Sequence, residues 1–372
     1  MPQDKKPSCK LPILVDAHQD LAWNQMLFGR DCMQSVQATR RNEQYTLIPS
    51  AVGDRLTGYP EWVAGGIGLV FATLFVSPAR RQAGVWESVV YHDVEEAHKL
   101  YLRQLDYYHH VVGDHQEKLI FLRSRHSLRT FLQEHSAGRA ASQDRVAILV
   151  SMEGADAIRT PAEVEAWYER GVRVIGPAWA GTRYAGGTLE PGPLSPEGRE
   201  LLARMAELKL ILDVSHMSDE ALLESLEQYE GTLVATHSNP RKLLPGSAIP
   251  ERHLSDQAIV GIAERDGVMG IAVYNPFLKD GWTRGDERSA VRLEHVAACI
   301  DHICQLTGSA RFVGIGSDFD GGYGRDCIPS GLDSIADLRL IGDTLMAWGY
   351  SCKDVAAIMG MNWVNLLLRA LP

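Results

Sequence analysis

Ile13-Leu14-Val15-Asp16-Ala17-His18 is a short apolar run that breaks into Gln19-Asp20. The same kind of run returns at 66–76 (GIGLVFATLFV), 146–153 (VAILVSME), 172–179 (VRVIGPAW) and 210–216 (LILDVSH). It returns again at 233–237 (LVATH), 268–274 (VMGIAVY) and 312–318 (FVGIGSD). Each run is rich in β-branched residues and ends in polar or glycine-rich sequence. Near-continuous apolar runs, as opposed to strict alternation, are what parallel strands covered on both faces require.

Helical patterns separate most of these runs. Thr160-Pro161-Ala162-Glu163 reads as a capping box with proline at the first helical position. Ser195-Pro196-Glu197 precedes Leu201, Leu202, Met205 and Leu208, one face of a helix. Ser218, Ser255 and Ser351 each stand where a helix start is expected, and 91–111 is a longer amphipathic stretch. Eight strands alternating with helices predict a (β/α)8 TIM barrel. A doubly wound sheet competes, but it would more often carry a glycine-rich phosphate turn after its first strand, and His18-Gln19-Asp20 is not one. No low-complexity linker or internal repeat divides the chain, so a single barrel domain over 1–372 is expected, with residues 1–10 as a flexible tail. The Gly/Pro-rich stretch 181–198 is too long for a plain αβ connection and should lie over the barrel's functional face.

The chain of 372 residues is 45% hydrophobic and 23% charged, which is globular composition and argues against disorder or a coiled coil. Its 37 basic and 47 acidic residues give a net charge of −10, which disfavours binding to nucleic acid or to an anionic membrane. No apolar run is long enough to span a bilayer. Neither terminus reads as a signal peptide or lipid anchor, so no membrane anchor and a cytoplasmic location are expected. The six cysteines form no C-x-x-C pair and are expected to be reduced and mostly buried.

The chemistry-bearing residues stand at strand ends. His18 and Asp20 close the first run, Glu153 the third, His216 the fifth, His237 the sixth and Asp318 the eighth. Residues two apart on a strand point the same way, so His18 and Asp20 face one point. In a barrel all these ends open on one mouth. Three histidines, two aspartates and one glutamate there form a ligand set for one or two borderline cations such as Zn²⁺. Taken singly, a strand-end histidine is ordinarily a hydrogen-bonded structural residue. Six such residues on one face are harder to explain, because burying that many ionisable groups together is costly without a compensating charge. Asp16 and Asp213 read as structural. Asp320 shares the parity of Asp318 and is easily mistaken for it. The other histidines, His109-His110 included, follow no strand end and read as surface residues.

Val15-Asp16-Ala17-His18-Gln19-Asp20-Leu21, Met152-Glu153-Gly154, 213–219 (DVSHMSD), Thr236-His237-Ser238-Asn239 and 314–321 (GIGSDFDG) together resemble the successive motifs of the membrane (renal) dipeptidase family, within the metal-dependent amidohydrolase superfamily. The order and spacing carry the resemblance over 13–368; H-x-D alone is weak. The resemblance implies two Zn²⁺ per chain, with His18 and Asp20 on the first, His216 and His237 on the second, and Glu153 bridging them. It implies Asp318 as the acid that handles the proton and Arg252 as the residue that takes the substrate carboxylate. It further implies a dipeptide substrate, L,L or L,D, cleaved by a hydroxide held between the metals. A homodimer is the one assembly weighed. The run 176–180 (GPAWA) departs from the family: Trp179 stands where a histidine is usual, and an indole can donate a hydrogen bond but cannot carry a proton in turnover. Arg183 or Tyr184 is a candidate to supply the histidine's role. Two other readings stay open: a related hydrolase of another small amide or lactone, such as an N-acyl amino acid, and an inactive metal-stabilised barrel. Serine hydrolysis is disfavoured, since no G-x-S-x-G occurs.

Overall fold

Alternate residues of a strand face opposite sides of a sheet, and the run 146–153 uses both. The computed structural model describes residues 11–136 and 144–372. In it the strands are β1 (Leu14–Gln19), β2 (Ile67–Leu74), β3 (Leu119–Phe121), β4 (Val146–Glu153) and β5 (Val172–Gly176). They continue as β6 (Ile211–Asp213), β7 (Leu233–Val234), β8 (Met269–Ile271) and β9 (Val313–Ile315). Ala147 and Leu149 of β4 join one apolar cluster with Val15, Phe71, Val174, Ile211 and Val234. Ile148, Val150 and Met152 join the other, larger cluster, which includes helix residues such as Leu105 and Leu201. The first cluster fills the barrel; the second lies between the barrel and its helices.

The strands run parallel in the order β1-β2-β4-β5-β6-β7, with β8 and β9 paired separately. A bridge from Ala235 to Met269 carries the ring from β7 to β8. The ring closes where Asp16 of β1 accepts from the Ser317 backbone N–H and hydroxyl, both at 2.6 Å, just beyond β9. This is the expected (β/α)8 barrel, and all eight runs supply its strands. The ninth strand, β3, was not anticipated. It is three residues long and pairs with the first residues of β4, on the edge that β5 takes further along.

The helices used below are α1 (Leu21–Phe28), α2 (Val94–Asp114), α3 (Pro196–Glu207), α4 (Asp219–Gln228), α5 (Asp256–Glu264) and α6 (Asn362–Ala370). Ser195 and Ser255 cap α3 and α5 through the Gly198 and Ala258 N–H groups. Ser218 behaves differently: its hydroxyl donates to the Gly192 carbonyl at 2.6 Å and so ties the 181–198 loop to the start of α4. The capping box at Thr160 does not form. The Glu163 carboxylate is taken by the Arg159 N–H and guanidinium, and Pro161–Glu163 becomes a 3-10 turn. At the barrel floor Trp363 of α6 donates to the Ile315 carbonyl at 3.1 Å. A Cβ on Gly314 would lie 2.3 Å from that indole nitrogen, and one on Gly316 only 1.8 Å from the Thr236 carbonyl, so the glycines of the eighth run permit close packing.

Cys32, Cys299, Cys304 and Cys327 are free and buried, as expected. Cys352 is exposed and disulfide-bonded, which corrects the expectation for that residue. Cys9 and the tail over 1–10 lie outside the described residues. Among the described residues no helix is long and apolar enough to cross a membrane.

Candidate metal centre

The inward parity of β4 climbs from Ala147 and Leu149 through Ser151 to Glu153. The barrel interior therefore changes from apolar to hydroxylic to anionic toward its C-terminal mouth. Ser151 and Thr73 hydroxyls meet at 3.0 Å in the middle layer. Above them the six residues expected at the mouth converge.

Glu153 is the centre of the group. Its Oε1 lies 2.8 Å from His216 Nε2 and 3.3 Å from His237 Nε2. Its Oε2 lies 3.8 Å from His18 Nε2. His18 Nε2 is also 3.6 Å from Asp20 Oδ2 and 3.9 Å from Asp318 Oδ1. Two overlapping sets have ligand atoms close enough to hold an ion: His18, Glu153 and His237, and His18, Asp20 and Asp318. His18 Nε2 and Asp20 Oδ1 are buried without a hydrogen-bond partner. Buried polar atoms ordinarily find one, and a cation between them would meet that need.

All three histidines turn Nε2 to the centre for the same reason. His18 Nδ1 lies 3.4 Å from the Thr73 hydroxyl, His216 Nδ1 3.0 Å from Thr188, and His237 Nδ1 2.9 Å from Thr236. A partner on Nδ1 fixes the ring and frees Nε2 for a metal. Thr188 comes from the 181–198 loop, which thus serves the site as its length predicted. Thr73, on the neighbouring strand, and Thr188, in a loop, left no local signal in the sequence; Thr236 directly precedes its histidine, but the spacing alone does not show that its hydroxyl meets Nδ1.

The charge balance is strained. Burial pushes the Asp318 carboxyl up to about 7 and the Glu153 carboxyl up to about 8. His18 is drawn up to about 10: burial opposes this, but the carboxylates of Glu153, Asp20 and Asp318 outweigh it. Burial drives His216 and His237 well below the usual imidazole range. Clustered shifts of this kind mark a functional site, and added positive charge would keep the carboxylates ionised. The backbone is strained here too. Among the described residues, three of the five non-glycine residues with positive φ are at the mouth: His216 (+66°), Asp318 (+61°) and Asp320 (+67°).

Asp16, Asp213 and Asp320 are structural, as expected for the first two. Asp213 accepts from the Ser215 and Thr236 N–H groups, each at 2.9 Å, and so sets the strand ends that carry His216 and His237. Asp320 turns away from the centre and accepts from Leu56 and Thr57.

A cleft of about 290 Å³ opens over the group. Arg252 lines it and is 3% exposed. One guanidinium nitrogen donates to the Ser238 hydroxyl at 3.1 Å, and Nη2 has no partner. Trp179 also lines the cleft, half-buried, its ring 5.0 Å from Phe75 and 6.4 Å from His216. Arg183 and Tyr184 do not reach it: both bond the Ile158 carbonyl on the far side of their loop. Neither can stand in for a histidine at position 179, which corrects that expectation. Trp23 of α1, Phe75 just past β2, and Trp86 and Glu87 of the following loop also line the cleft and were missed, because aromatic residues in a helix or an apolar run read as core and the loop carries no motif.

The family model for membrane dipeptidase (peptidase family M19) matches residues 6–370. The chain belongs to this family. A protein in the pqqA 5′ region of Klebsiella pneumoniae is 32% identical over 63% of this chain and 90% of its own. Dipeptidase aclJ of Aspergillus oryzae is 26% identical over 95% of this chain and 77% of its own. The solved metallo peptidase of Rhodobacter sphaeroides, liganded with a phosphinate mimic of the dipeptide L-Ala-D-Ala, superposes with a TM-score of 0.77. It shares 22% identity, and the match covers 97% of this chain and 100% of that one. Membership makes the chain a hydrolase acting on peptide bonds, with the metal dependence and small peptide substrate that go with a dipeptidase family.

Proposed function

We propose that the chain is a zinc-dependent dipeptidase whose mouth holds two divalent ions. The observation that carries this is Glu153, with one carboxylate oxygen toward His216 and His237 and the other toward His18. In this reading His18 and Asp20 hold the first ion, His216 and His237 the second, and Glu153 joins both. When bound, such a pair lowers the pKa of a water and polarises a carbonyl.

The chain's own residues do the rest. Asp318, 3.9 Å from His18, accepts a proton from the attacking water and returns it to the leaving nitrogen. Arg252 has a free guanidinium edge and no acidic partner among the described residues, so it takes the substrate's carboxylate in a charge-assisted pair. The L-Ala-D-Ala mimic bound by the Rhodobacter sphaeroides protein supports L,D as well as L,L dipeptides as substrates. One feature favours a second reading, hydrolysis of another small amide such as an N-acyl amino acid: Trp179 makes part of the wall aromatic.

Elemental analysis tests the centre. Zinc-replete wild type should hold two ions per chain and Glu153→Ala at most one, because the shared carboxylate is gone. Wild type that holds a single ion under those conditions would rule out the paired centre.

A further inference from the structure

The loop after β2 carries a buried acid that nothing above employs. Glu87 is 2% exposed and lines the cleft. Its Oε1 accepts from the Ser77 hydroxyl at 2.5 Å and its Oε2 from the Ala83 N–H at 2.7 Å. Among the described residues no Lys, Arg or His forms an ion pair with it, and no charged neighbour offsets the burial that pushes its carboxyl up. Buried charges are ordinarily paired.

Its place in the ring gives the unpaired charge a meaning. Glu87 follows the second barrel strand, β2, and Arg252 the sixth, β7. Four strands apart in an eight-strand ring is the opposite side. The loops that carry the two residues thus leave opposite sides of the ring, and both residues line the one cleft over the Glu153 cluster: a guanidinium with a free edge and a carboxyl without a cationic partner. The wall around Glu87 is aromatic. Trp23 and Trp86 stand edge to face at 6.3 Å, and Phe75 lies 6.3 Å from Trp23 and 5.0 Å from Trp179. Faces of indole and phenyl rings attract cations, and more so when water is excluded.

We infer that Glu87, with the rings of Trp23, Phe75, Trp86 and Trp179, is a binding site for a cationic nitrogen on the amino-terminal residue of the substrate. This rests on the peptidase reading: with the carboxylate at Arg252 and the scissile carbonyl over the metal cluster, the amino-terminal half extends toward β2. The cation has two sources in a peptide, the free α-amine or the side chain of lysine or arginine. The shared chemistry is an ammonium or guanidinium group that restores a counter-charge to Glu87.

The test compares four substrates of the zinc-loaded enzyme: Lys-Ala, norleucyl-Ala, and the N-acetylated form of each. The wild type should favour a cationic member over its neutral counterpart by about tenfold or more in kcat/KM. Preference for Lys-Ala over norleucyl-Ala identifies the side chain; preference for free over acetylated amine identifies the α-amine. Glu87→Gln should erase that preference, mostly through KM. A wild type that cleaves all four within about twofold of one another overturns the site and leaves the peptidase reading standing. So does a Glu87→Gln variant, folded by circular dichroism, that lowers all four equally, since a loop brace would act that way. If no peptide is cleaved, the peptidase reading fails by itself. The site is then judged by indole fluorescence on titration with L-lysine and L-norleucine: tighter binding of lysine, abolished in Glu87→Gln, supports it, and equal binding overturns it.

Discussion

Asp318 and Asp320 stand two residues apart in one motif, yet they should fail in opposite ways. Asp320 is 3% exposed and accepts three hydrogen bonds from a single neighbouring segment. Two come from the backbone N–H groups of Leu56 (2.8 Å) and Thr57 (3.0 Å), and one from the Thr57 hydroxyl (2.6 Å). Asp320→Ala leaves two buried N–H groups without acceptors; the hydroxyl can rotate away. At about 1–3 kcal/mol for each orphaned donor, the cost is roughly 2–6 kcal/mol, and the buried Arg30 guanidinium, 3.8 Å away, also loses a counter-charge. Spread over 372 residues at about 2.1 cal/mol/K each, this lowers the melting midpoint by roughly 3–8 °C. Asp320→Asn keeps one acceptor oxygen but turns an NH2 toward a donor, so it should fall between wild type and Asp320→Ala. Asp318 braces no such segment and sits among other acids. Asp318→Asn should leave the midpoint unlowered while reducing kcat by roughly 10²-fold or more. The assay is calorimetry beside dipeptide turnover on the same zinc-loaded preparations. If Asp320→Ala melts within about 1 °C of wild type and loses turnover as Asp318→Asn does, the assignment of the proton-transfer role is wrong.

Arg252→Ala should raise KM for peptides with a free carboxylate by about tenfold or more and change KM for their C-terminal amides much less; equal effects on both would reject the carboxylate pairing. Trp179→His should act mainly on KM for bulky substrates, with kcat for Ala-Ala changed less than about threefold, because the ring packs on Phe75 as a wall. A tenfold gain in kcat would instead mean that the histidine restores a catalytic role at that position.

The barrel was legible because its eight strands are buried on both faces and so declare themselves as apolar runs. The convergence of the six residues at the mouth was legible for a related reason: an ionisable residue that ends such a run has nowhere to point except the mouth. β3 escaped because Leu119–Phe121 is short and only partly buried, with one neighbour strand. The Thr160 capping box misled because a sequence pattern does not reveal that Arg159 competes for Glu163. What sets two of the histidine rings was invisible, since Thr73 acts across a strand and Thr188 from a loop; Thr236 stands beside His237, where only the packed structure shows its hydroxyl at Nδ1. Glu87 was invisible because its significance is a buried charge without a counter-charge, which only the packed loop exposes.

The departure at Trp179 gains its sense from what surrounds it. A histidine there could move a proton; an indole cannot. If Asp20 and Glu153 hold metal as proposed, Asp318 is the acid left at the centre, since Asp16, Asp213 and Asp320 are claimed by structural bonds. On the proposed mechanism, proton transfer then falls on one residue. The aromatic wall of Trp23, Phe75, Trp86 and Trp179 lines the cleft; in the proposed binding mode it would meet the substrate away from the bond being broken, and such contacts hold ground state and transition state alike. On that proposal, Trp179 bears on which peptides are held, while the breaking of the bond is left to the centre around Glu153.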